Sequence, residues 1–412
     1  MSKERTIASI DIGNYKIRTA IGVLTQDKKV PSVVGVGVSP STGMRRGQVI
    51  DVEEAINNIT ASLEEAERMA GEPINHVFIG IGGHHIDAVE AKGVIATQGE
   101  EIIESDVARV LETAQAISIP SNKQVIKIIP KFFSIDNQKG VRYPVGMIGR
   151  KLEVEAHIIS GQSATIKNIE KCVHEAGVDI DDIVPNTLAA SEAVLSKRQR
   201  ELGVVVIDIG HGSTSMAVYE EGSLIHTAVL PLGGENVTND IAIGARTSLD
   251  MAEKLKTEYG TCAIKEVDPK QSINMKDLGG TDEKIERSYI AQIVEARYYE
   301  ILIMARNELR KIRREGMLPA GVVFTGGGCK CHGLLDLARD ILSLPVQIGF
   351  PHETSSVIEQ VDDPSFATCV GLLVWGARME PAKYGFNFSI KNFDAVKGAF
   401  GKAKNMFTKL LP

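Results

Sequence analysis

The sequence predicts an α/β fold made of two related halves, interrupted by a small α+β domain and followed by an amphipathic helix. The first observation is a duplicated phrase, Ile-Asp-Ile-Gly, which occurs at residues 10–13 and 207–210, each time between two apolar runs. The second is a break in the α/β rhythm between residues 84 and 165. The third is a lysine-rich periodic segment at residues 393–412.

Length and composition indicate a cytoplasmic protein with more than one domain. The 412 residues are too many for one compact core, and the hydrophobic share of 43% is ordinary for a globular protein. The net charge of -7 argues against a nucleic-acid partner, since such proteins are usually basic. Five scattered cysteines indicate free thiols in a reducing compartment. No apolar run resembles a signal peptide or approaches the ~20 residues of a membrane span.

The first half is predicted at residues 1–83 and continues at residues 166–200. Three runs rich in β-branched residues are typical of strands, and they read TIASIDIG, KIRTAIGVL and SVVGVGVSP. A helix follows, with Asp51 placed to cap its start and Gly71 placed to end it. The apolar run HVFIGIGG then predicts another buried strand.

Residues 84–165 predict a separate small α+β domain inserted early in the chain. Its helix is opened by Ser105, and alternating runs such as QVIKIIPKFFSID and KLEVEAHIIS are typical of half-buried strands. The insertion follows directly after the run IGIGG.

The second half comprises residues 201–243 and 320–378, with a helical subdomain at residues 244–319 between them. It opens with LGVVVIDIG and returns to a buried strand and a glycine loop in GVVFTGGGCKCHG. Residues 379–392 lack periodicity and predict a linker. The chain therefore duplicates a large unit rather than a short repeat.

The duplicated phrase is suited to binding phosphate. Glycine after aspartate permits a tight turn, and it lets a ligand approach backbone amides closely. Asp11 and Asp208 offer carboxylates to the waters around Mg²⁺. The alternative is a strand end with an Asx turn, which a phrase this short also allows.

A third element favours a nucleotide site. The strand VVFT ends in Gly326, Gly327 and Gly328, which leave backbone room for a nucleoside or phosphate. Neither the P-loop pattern nor Gly-x-Gly-x-x-Gly occurs. In this order the motifs resemble those of the actin superfamily of ATP-binding proteins, which includes sugar kinases, heat-shock chaperones and bacterial filament proteins. The resemblance implies a two-lobed, actin-like ATPase fold.

By this resemblance the chain binds ATP, with Mg²⁺ held through water by Asp11 and Asp208. The hairpins at 11–18 and 208–215 hold phosphates, residues 325–328 lie at the adenosine, and the helix MAEKLKTEYG holds the ribose. The segments NTLAASEAVL and DPSFATCVGLLVWG resemble the two hinge helices of the superfamily. The residues implied to bind the nucleotide are Asp11, Gly13, Asn14, Lys16, Asp208, Gly210, His211, Gly212, Ser213, Thr214, Gly234, Glu253, Lys256, Gly326, Gly327 and Gly328.

The early insertion and the tail together make the chain similar, over essentially its whole length, to the FtsA family of bacterial cell-division proteins. That resemblance implies a peripheral protein on the cytoplasmic side of the cell membrane at the division site. It also implies assembly with copies of itself into protofilaments, binding of the C-terminal tail of FtsZ, and anchoring of FtsZ filaments. Later division proteins are expected to contact the inserted domain.

The tail predicts a membrane-binding helix on its own pattern. Five lysines and one aspartate leave residues 391–412 a net charge of +4, which favours an anionic membrane surface. The alternative is a terminal helix packed on the protein's own core. The apolar residues recur at spacings of three and four, on one helical face, and the membrane contacts expected among them are Phe393, Val396, Phe400, Met406, Phe407 and Leu410.

A second surface is the helix QIVEARYYEILIMARNELRKIRREG, whose C-terminal half is basic. The family resemblance places the FtsZ tail in this region and implies contacts to Arg297, Arg306, Asn307 and Arg310. The alternative is a favourable placement of cations near a helix C-terminus, which needs no partner.

The chemistry expected of the site is limited. Asn186 falls where active ATPases of the superfamily carry the Glu or Gln that orients the attacking water. Asparagine is one methylene shorter and is not a base, so we expect at most slow hydrolysis, with ATP as a structural switch. Cys329, Cys331 and His332 suggest a metal, but they lack a second ligand pair, so we do not expect zinc.

Other branches of the superfamily provide the alternatives. A phosphoryl-transfer enzyme of the sugar-kinase branch needs a carboxylate base at its substrate cleft and has no use for an amphipathic tail. A chaperone needs a separate substrate-binding domain, for which too few residues follow position 378. A pilus-assembly or filament relative with the same insertion is closer, and the residues alone do not exclude it.

Overall fold

The fold is that of a computed structural model, which describes residues 4–25, 30–116, 119–280, 282–352, 355–356 and 358–379. Its strands are β1 (Arg5–Ile12), β2 (Lys16–Leu24), β3 (Ser32–Pro40), β4 (Met44–Arg45), β5 (Gln48–Val49), β6 (His76–Ile81), β7 (Ile86–Ala96), β8 (Lys123–Ile135), β9 (Gln138–Val141), β10 (Lys151–Gln162), β11 (Asp179–Pro185), β12 (Val204–Ile209), β13 (Thr214–Glu220), β14 (Ser223–Leu230), β15 (Ser272–Asn274), β16 (Lys284–Glu286), β17 (Val322–Thr325), β18 (Val346–Ile348) and β19 (Ser355–Ser356). Its α-helices are α1 (Val52–Ala70), α2 (Glu104–Gln115), α3 (Ser163–Glu175), α4 (Asn186–Val194), α5 (Lys197–Leu202), α6 (Gly234–Gly244), α7 (Leu249–Tyr259), α8 (Arg287–Lys311), α9 (Leu334–Leu342) and α10 (Ala367–Arg378).

The two halves repeat one strand pattern. In the first, β1, β2 and β3 form an antiparallel meander, and β6 adds to β1 in parallel, which gives the order β11-β6-β1-β2-β3-β19. In the second, β12, β13 and β14 form the same meander, and β17 adds to β12 in parallel, which gives the order β14-β13-β12-β17-β18. The duplicated phrase ends the first strand of each meander, as the sequence predicts.

The helix after the first meander has the predicted ends. The Asp51 carboxylate accepts a hydrogen bond from the amide of Glu54 at 3.0 Å, and Gly71 ends α1 in a left-handed conformation with φ 78°. Ala55, Ile59 and Leu63 of α1 are buried, so this face joins the core of the first half.

The inserted domain is an antiparallel sheet of order β7-β10-β8-β9 covered by α2. It has a separate core, to which Ile102, Leu111 and Leu152 belong. Its helix α2 begins at Glu104, whereas the sequence predicted that Ser105 opens it. The start lies earlier because the Asp106 carboxylate accepts a hydrogen bond from the free amide of Ile103. Its sheet also contacts β14 of the second half.

The segment between the two parts of the second half is not purely helical. The helices α7 and α8 lie there and pack with the preceding α6, but β15 and β16 form a short antiparallel pair between α7 and α8. Buried Ile273 and Met275 join this pair to the core of the second half.

The hinge helices α4 and α10 cross between the halves. α10 packs on β1 and β2 of the first sheet, although the sequence assigned its residues to the second half, and α4 packs on β12 and β13 of the second sheet. The two helices approach closely at Gly371, where a Cβ atom would lie 1.8 Å from the Ala189 carbonyl oxygen. Because Gly371 has no side chain, α10 can pack closely on α4. Each of these two helices also packs on the sheet of the other half.

No helix in the described part of the chain is long and apolar enough to cross a bilayer. Apart from Met379, the predicted linker 379–392 and the predicted helix 393–412 lie outside the described residues. The membrane contacts predicted at Phe393, Val396, Phe400, Met406, Phe407 and Leu410 fall in that part.

Candidate functional site

The turns that follow the duplicated phrase open into one cavity of about 910 Å³ between the halves. Asp11 and Asp208 are the penultimate residues of β1 and β12, and both line this cavity. In the strand register Asp11 is opposite Arg18, and Asp208 is opposite Ser215. The repeated topology therefore brings a buried acid, a half-buried acid and one cation to the lining of a single cleft.

The two aspartates are strongly desolvated. Burial raises the pKa of Asp11 to about 6, against the attraction of Arg18. Burial, with repulsion from Asp11, raises the pKa of Asp208 to about 7, again opposed by Arg18. Two desolvated acids near a single guanidinium form a site that would be stabilised by a further positive charge.

Glycine is required in the turn and the loop that border these acids. At Gly13 a Cβ atom would lie 2.6 Å from the carbonyl oxygen of Lys16, so a side chain would prevent the tight turn. Gly326 has φ +82°, and a Cβ atom there would lie 2.2 Å from Asp208 Oδ1. The glycine loop thus passes directly over the second acid, which requires the residue type that the sequence places there.

The opposite wall carries a hydrogen-bonded ion pair. Lys256 Nζ lies 2.6 Å from Glu253 Oε2 on α7, and it also donates to the hydroxyl of Thr238 at 2.8 Å. The same ammonium donates to the carbonyl of Gly234, the first residue of α6, at 3.2 Å. This network fixes two polar side chains at the wall where the sequence predicts the ribose.

Asn186 begins α4 and lies beside the first acid. Its Nδ2 atom donates weakly to Asp11 Oδ1 at 3.4 Å, and its Oδ1 atom is buried without a hydrogen-bond partner among the described residues. The side chain packs against Gly80 and Gly82, where Cβ atoms would lie 2.7 and 2.9 Å from it. The structure therefore brings Asn186 to the floor of the cavity, next to Asp11.

Two of the predicted nucleotide residues do not line the cavity. The hydroxyl of Thr214 is turned inward and donates to the Leu232 carbonyl at 2.8 Å. Gly212 lies outside the lining, where its carbonyl is 3.2 Å from His84 Nε2. The lining residues among those predicted are Asp11, Gly13, Asn14, Lys16, Asn186, Asp208, Gly210, His211, Ser213, Gly234, Glu253, Lys256, Gly326, Gly327 and Gly328.

Other lining residues were not singled out from the sequence. Arg18 lies on β2 opposite Asp11 and lines the cavity. Its positive charge close after the first turn is the signal by which the sequence could have identified it. Tyr298 of α8 donates its hydroxyl to the Gly328 carbonyl at 2.7 Å, and Lys330 pairs with Asp363. These contacts come from elements far apart in the chain, so no local pattern indicates them.

The donor set suits a hydrated cation rather than a directly coordinated one. No group of three or more His, Cys, Asp or Glu side chains able to hold a metal occurs in the described ranges. Asp11 and Asp208 offer two desolvated carboxylates in a cleft with room for water and phosphate, which fits Mg²⁺ bound through its hydration shell.

The basic helix α8 carries arginines that already have acidic partners. Arg297 contacts Asp240 at 2.7 Å, and Arg310 makes two hydrogen bonds of 2.8 Å to Glu315. Arg306 lies 3.7 Å from the same Glu315. Its cations are therefore partly neutralised within the chain, which sequence spacing does not reveal.

Comparison with known families gives two matches. The family model described as cell division protein FtsA matches residues 205–371, and the model of the SHS2 domain inserted in FTSA matches residues 83–160. The chain is 37% identical to cell division protein FtsA of Pseudomonas aeruginosa over 91% of this chain and 90% of the relative. It is also 37% identical to that of Bacillus subtilis over 94% of this chain and 87% of the relative, and 33% identical to that of Escherichia coli K12 over 90% of each.

Solved structures share the fold at low identity. The PilM-PilN type IV pilus biogenesis complex matches with a TM-score of 0.67 and 17% identity, covering 91% of this chain and 99% of that one. MreB5 of Spiroplasma citri bound to ADP matches with a TM-score of 0.53 and 14% identity, covering 90% and 96%. These likenesses confirm the predicted two-lobed, actin-like fold.

Proposed function

Because the chain belongs to the FtsA family of cell division proteins, we propose that it binds ATP with Mg²⁺ between its lobes and ties FtsZ filaments to the inner face of the cytoplasmic membrane. The division role follows from the family. The nucleotide, the membrane and the named partners are the proposal.

The nucleotide part is carried by one observation, the meeting of Asp11 and Asp208 at the floor of the cavity. Both carboxylates are desolvated, and Mg²⁺ would neutralise them together with the phosphate oxygens that it orders. Amides of the two turns and Lys16 surround the phosphates, and the Glu253–Lys256 pair binds the ribose. We propose slow hydrolysis at most, because Asn186 is too short to position water as a glutamine does.

The FtsZ tail is proposed to bind along α8 at Arg297, Arg306, Asn307 and Arg310. This binding requires an acidic group of the peptide to replace Glu315 or Asp240 as the arginine partner. Such exchange leaves the number of ion pairs unchanged, so the affinity depends on the apolar contacts of the peptide as well. The inserted domain, which exposes Tyr143 and Ile148, is proposed to contact later division proteins and neighbouring copies in a protofilament.

The membrane part rests on the amphipathic pattern of residues 393–412. Phe393, Val396, Phe400, Met406, Phe407 and Leu410 are proposed to enter the lipid, with lysines at the anionic surface. Each lysine contributes about 1 kcal/mol near such a surface, and salt screens this contribution.

Flotation with anionic liposomes tests the tether. Intact protein and protein lacking residues 393–412 are mixed with vesicles, with and without FtsZ, and neutral vesicles serve as a control. Phe400→Glu adds a charge to the apolar face without changing the length, and Lys404→Glu changes only the polar face. We expect intact protein to carry FtsZ upward, Lys404→Glu to float less, and Phe400→Glu to remain at the bottom.

Intact protein that stays at the bottom would overturn the tether. The tail would then be a docked helix, and an actin-fold phosphoryl-transfer enzyme would become the better interpretation. If the intact protein floats but added FtsZ stays at the bottom, the membrane anchor stands and the partner assigned to α8 is wrong.

A further inference from the structure

Two cysteines meet at the wall of the central cavity. Cys262 follows α7, Cys331 follows the glycine loop at 326–328, and their sulfur atoms lie 3.5 Å apart. The backbone holds them together, because the amide of Cys262 donates to the carbonyl of His332 at 2.7 Å. In a second contact between the same loops, the Thr261 hydroxyl lies 3.0 Å from His332 Nδ1. The thiols are thus in contact within a hydrogen-bonded junction of two loops.

The two thiols differ in access and in acidity. Cys262 is buried, whereas Cys331 is half-buried and lines the cavity. The hydrogen bond between them lowers the pKa of Cys331 and raises that of Cys262, so Cys331 is the more nucleophilic sulfur. Burial instead raises the pKa of Cys329 and of Cys369 to about 12, and neither has a cysteine partner among the described residues.

We propose that Cys262 and Cys331 form a reversible redox-active dithiol, oxidised to a disulfide by hydrogen peroxide and shielded from oxidation when a nucleotide fills the cavity. Cys331 thiolate attacks one peroxide oxygen, the O–O bond breaks, and the departing hydroxide is protonated to water. Cys262 then attacks the resulting sulfenic sulfur, the S–O bond breaks, and a second water leaves. Two thiols are oxidised while one peroxide is reduced to two waters, and an added dithiol reverses the step.

The disulfide would join two segments that border the same ligand space. The glycine loop lies on one side of Cys331, and α7 with Glu253 and Lys256 precedes Cys262. A ligand in this part of the cavity would cover Cys331, which lines it. The shielding rests on the proposed nucleotide site, whereas the dithiol itself rests only on the contact between the two sulfurs.

Peptide mapping tests the proposal on the full chain. Trypsin cleaves after Lys330, so Cys329 and Cys331 fall in different peptides, and Cys262 lies in the peptide 257–265. Reduced protein is treated with hydrogen peroxide, with and without Mg-ATP, and free thiols are then blocked before digestion. We expect one cross-linked pair, 257–265 with 331–339, which forms several-fold more slowly with Mg-ATP and is lost after a dithiol is added.

Cys331→Ser and Cys262→Ser should each abolish the cross-link, while the peptides of Cys172, Cys329 and Cys369 stay unoxidised in all proteins. A sulfinic acid at Cys331 without the cross-link in wild-type protein would overturn the dithiol. Equal rates in protein shown to bind Mg-ATP would overturn the shielding. If no nucleotide binds but the cross-link forms, the nucleotide part of the proposed function and the shielding fail, and the dithiol stands.

Discussion

The ring centroids of Tyr15 and His211 lie 5.0 Å apart, and the two residues belong to the turns of different halves. The halves meet at other points as well, since Asn14 lies beside Gly212, and His84 Nε2, after β6, is 3.2 Å from the Gly212 carbonyl. Burial lowers the pKa of His211, so the imidazole is neutral in this contact near pH 7. The two halves are therefore closed against each other on the side where phosphates are predicted to lie.

Tyr15→Ala should speed nucleotide release, because it removes the aromatic contact that holds the turns together. Such pairs contribute about 0.5–1.5 kcal/mol, which corresponds to a rate change of up to about tenfold. Release of a fluorescent ATP analogue measured by stopped flow gives this rate. Tyr143→Ala, on the exposed face of the inserted domain, is the control and should leave it unchanged. Equal rates for both variants would show that the ring contact is not a barrier to release.

Asp208→Asn should stabilise the ligand-free protein at pH 8 and impair Mg-ATP binding. The folded pKa of about 7 lies above the ordinary value of 3.8, so the charged form is disfavoured in the folded state. The stability contributed by this group is present below pH 3.8 and is lost as the pH rises toward about 7. Asparagine cannot ionise, so the variant avoids this loss of unfolding free energy, which is at least about 1.4 kcal/mol, the equivalent of one pKa unit.

Thermal unfolding at pH 4 and pH 8, with and without Mg-ATP, measures both effects. The variant should unfold at a higher temperature than wild type at pH 8 and at a similar one at pH 4. Its affinity for Mg-ATP should fall by about ten- to a hundredfold, since a charged hydrogen-bonding group is lost. Asp336→Asn, which alters an exposed pair with Arg339, should do neither. Unchanged Mg-ATP binding in Asp208→Asn would contradict the assigned role.

Strand topology and glycine positions were predictable because their causes are local. The repeated phrase predicted two related halves, each opened by one copy of it, and Gly13 and Gly326 are required where backbone approaches backbone or a carboxylate. The crossing of α10 onto the first sheet was not predictable, since both hinge helices are buried on nearly all sides and their periodicity does not indicate which sheet they pack on. It depends on the close approach at Gly371, a contact between residues far apart in sequence.

The same limit applies to the sites. The duplicated phrase identifies Asp11 and Asp208, but it does not predict which neighbouring side chains face the ligand. The sequence therefore did not predict that the Thr214 hydroxyl turns inward. The contact of Cys262 with Cys331 joins loops separated by most of the helical subdomain. Local motifs therefore predict the acids and the loops, whereas the pairing between loops requires the fold.

Glu192→Gln should destabilise the protein strongly. Its buried carboxylate lies between the hinge helices and bonds to Arg200 at 2.7 Å and to Arg378 at the end of α10. Removing one charge from a buried cluster costs about 3–5 kcal/mol, because the remaining charges lose their partner. Urea unfolding measures the loss. The control is Glu201→Gln, whose exposed pair with Arg142 is expected to contribute little to stability because solvent screens it. Equal losses would mean that the Glu192 cluster does not hold the helices.

Glu315→Gln should strengthen binding of an FtsZ C-terminal peptide, because it frees Arg310 and Arg306 for the peptide. The pair is exposed, so we expect at most about a threefold gain. Arg310→Ala should weaken the same binding, measured by anisotropy of a labelled peptide. Asp336→Asn frees an arginine on α9 instead and should have no effect. No change in either α8 variant would place the peptide elsewhere.

Asn186→Gln should raise ATP hydrolysis without changing ATP affinity. Asn186 Nδ2 lies 3.4 Å from Asp11 Oδ1 at the cavity lining, and the Oδ1 atom of Asn186 lacks a hydrogen-bond partner among the described residues. Glutamine carries the same amide one methylene further, without adding charge beside Asp11 and Asp208. If the amide then orients the attacking water, phosphate release should rise at least about tenfold. Asn58→Gln lengthens a half-buried amide on α1, away from the cavity, and serves as the matched control. Unchanged turnover together with unchanged ATP affinity would show that position 186 does not face the attacking water.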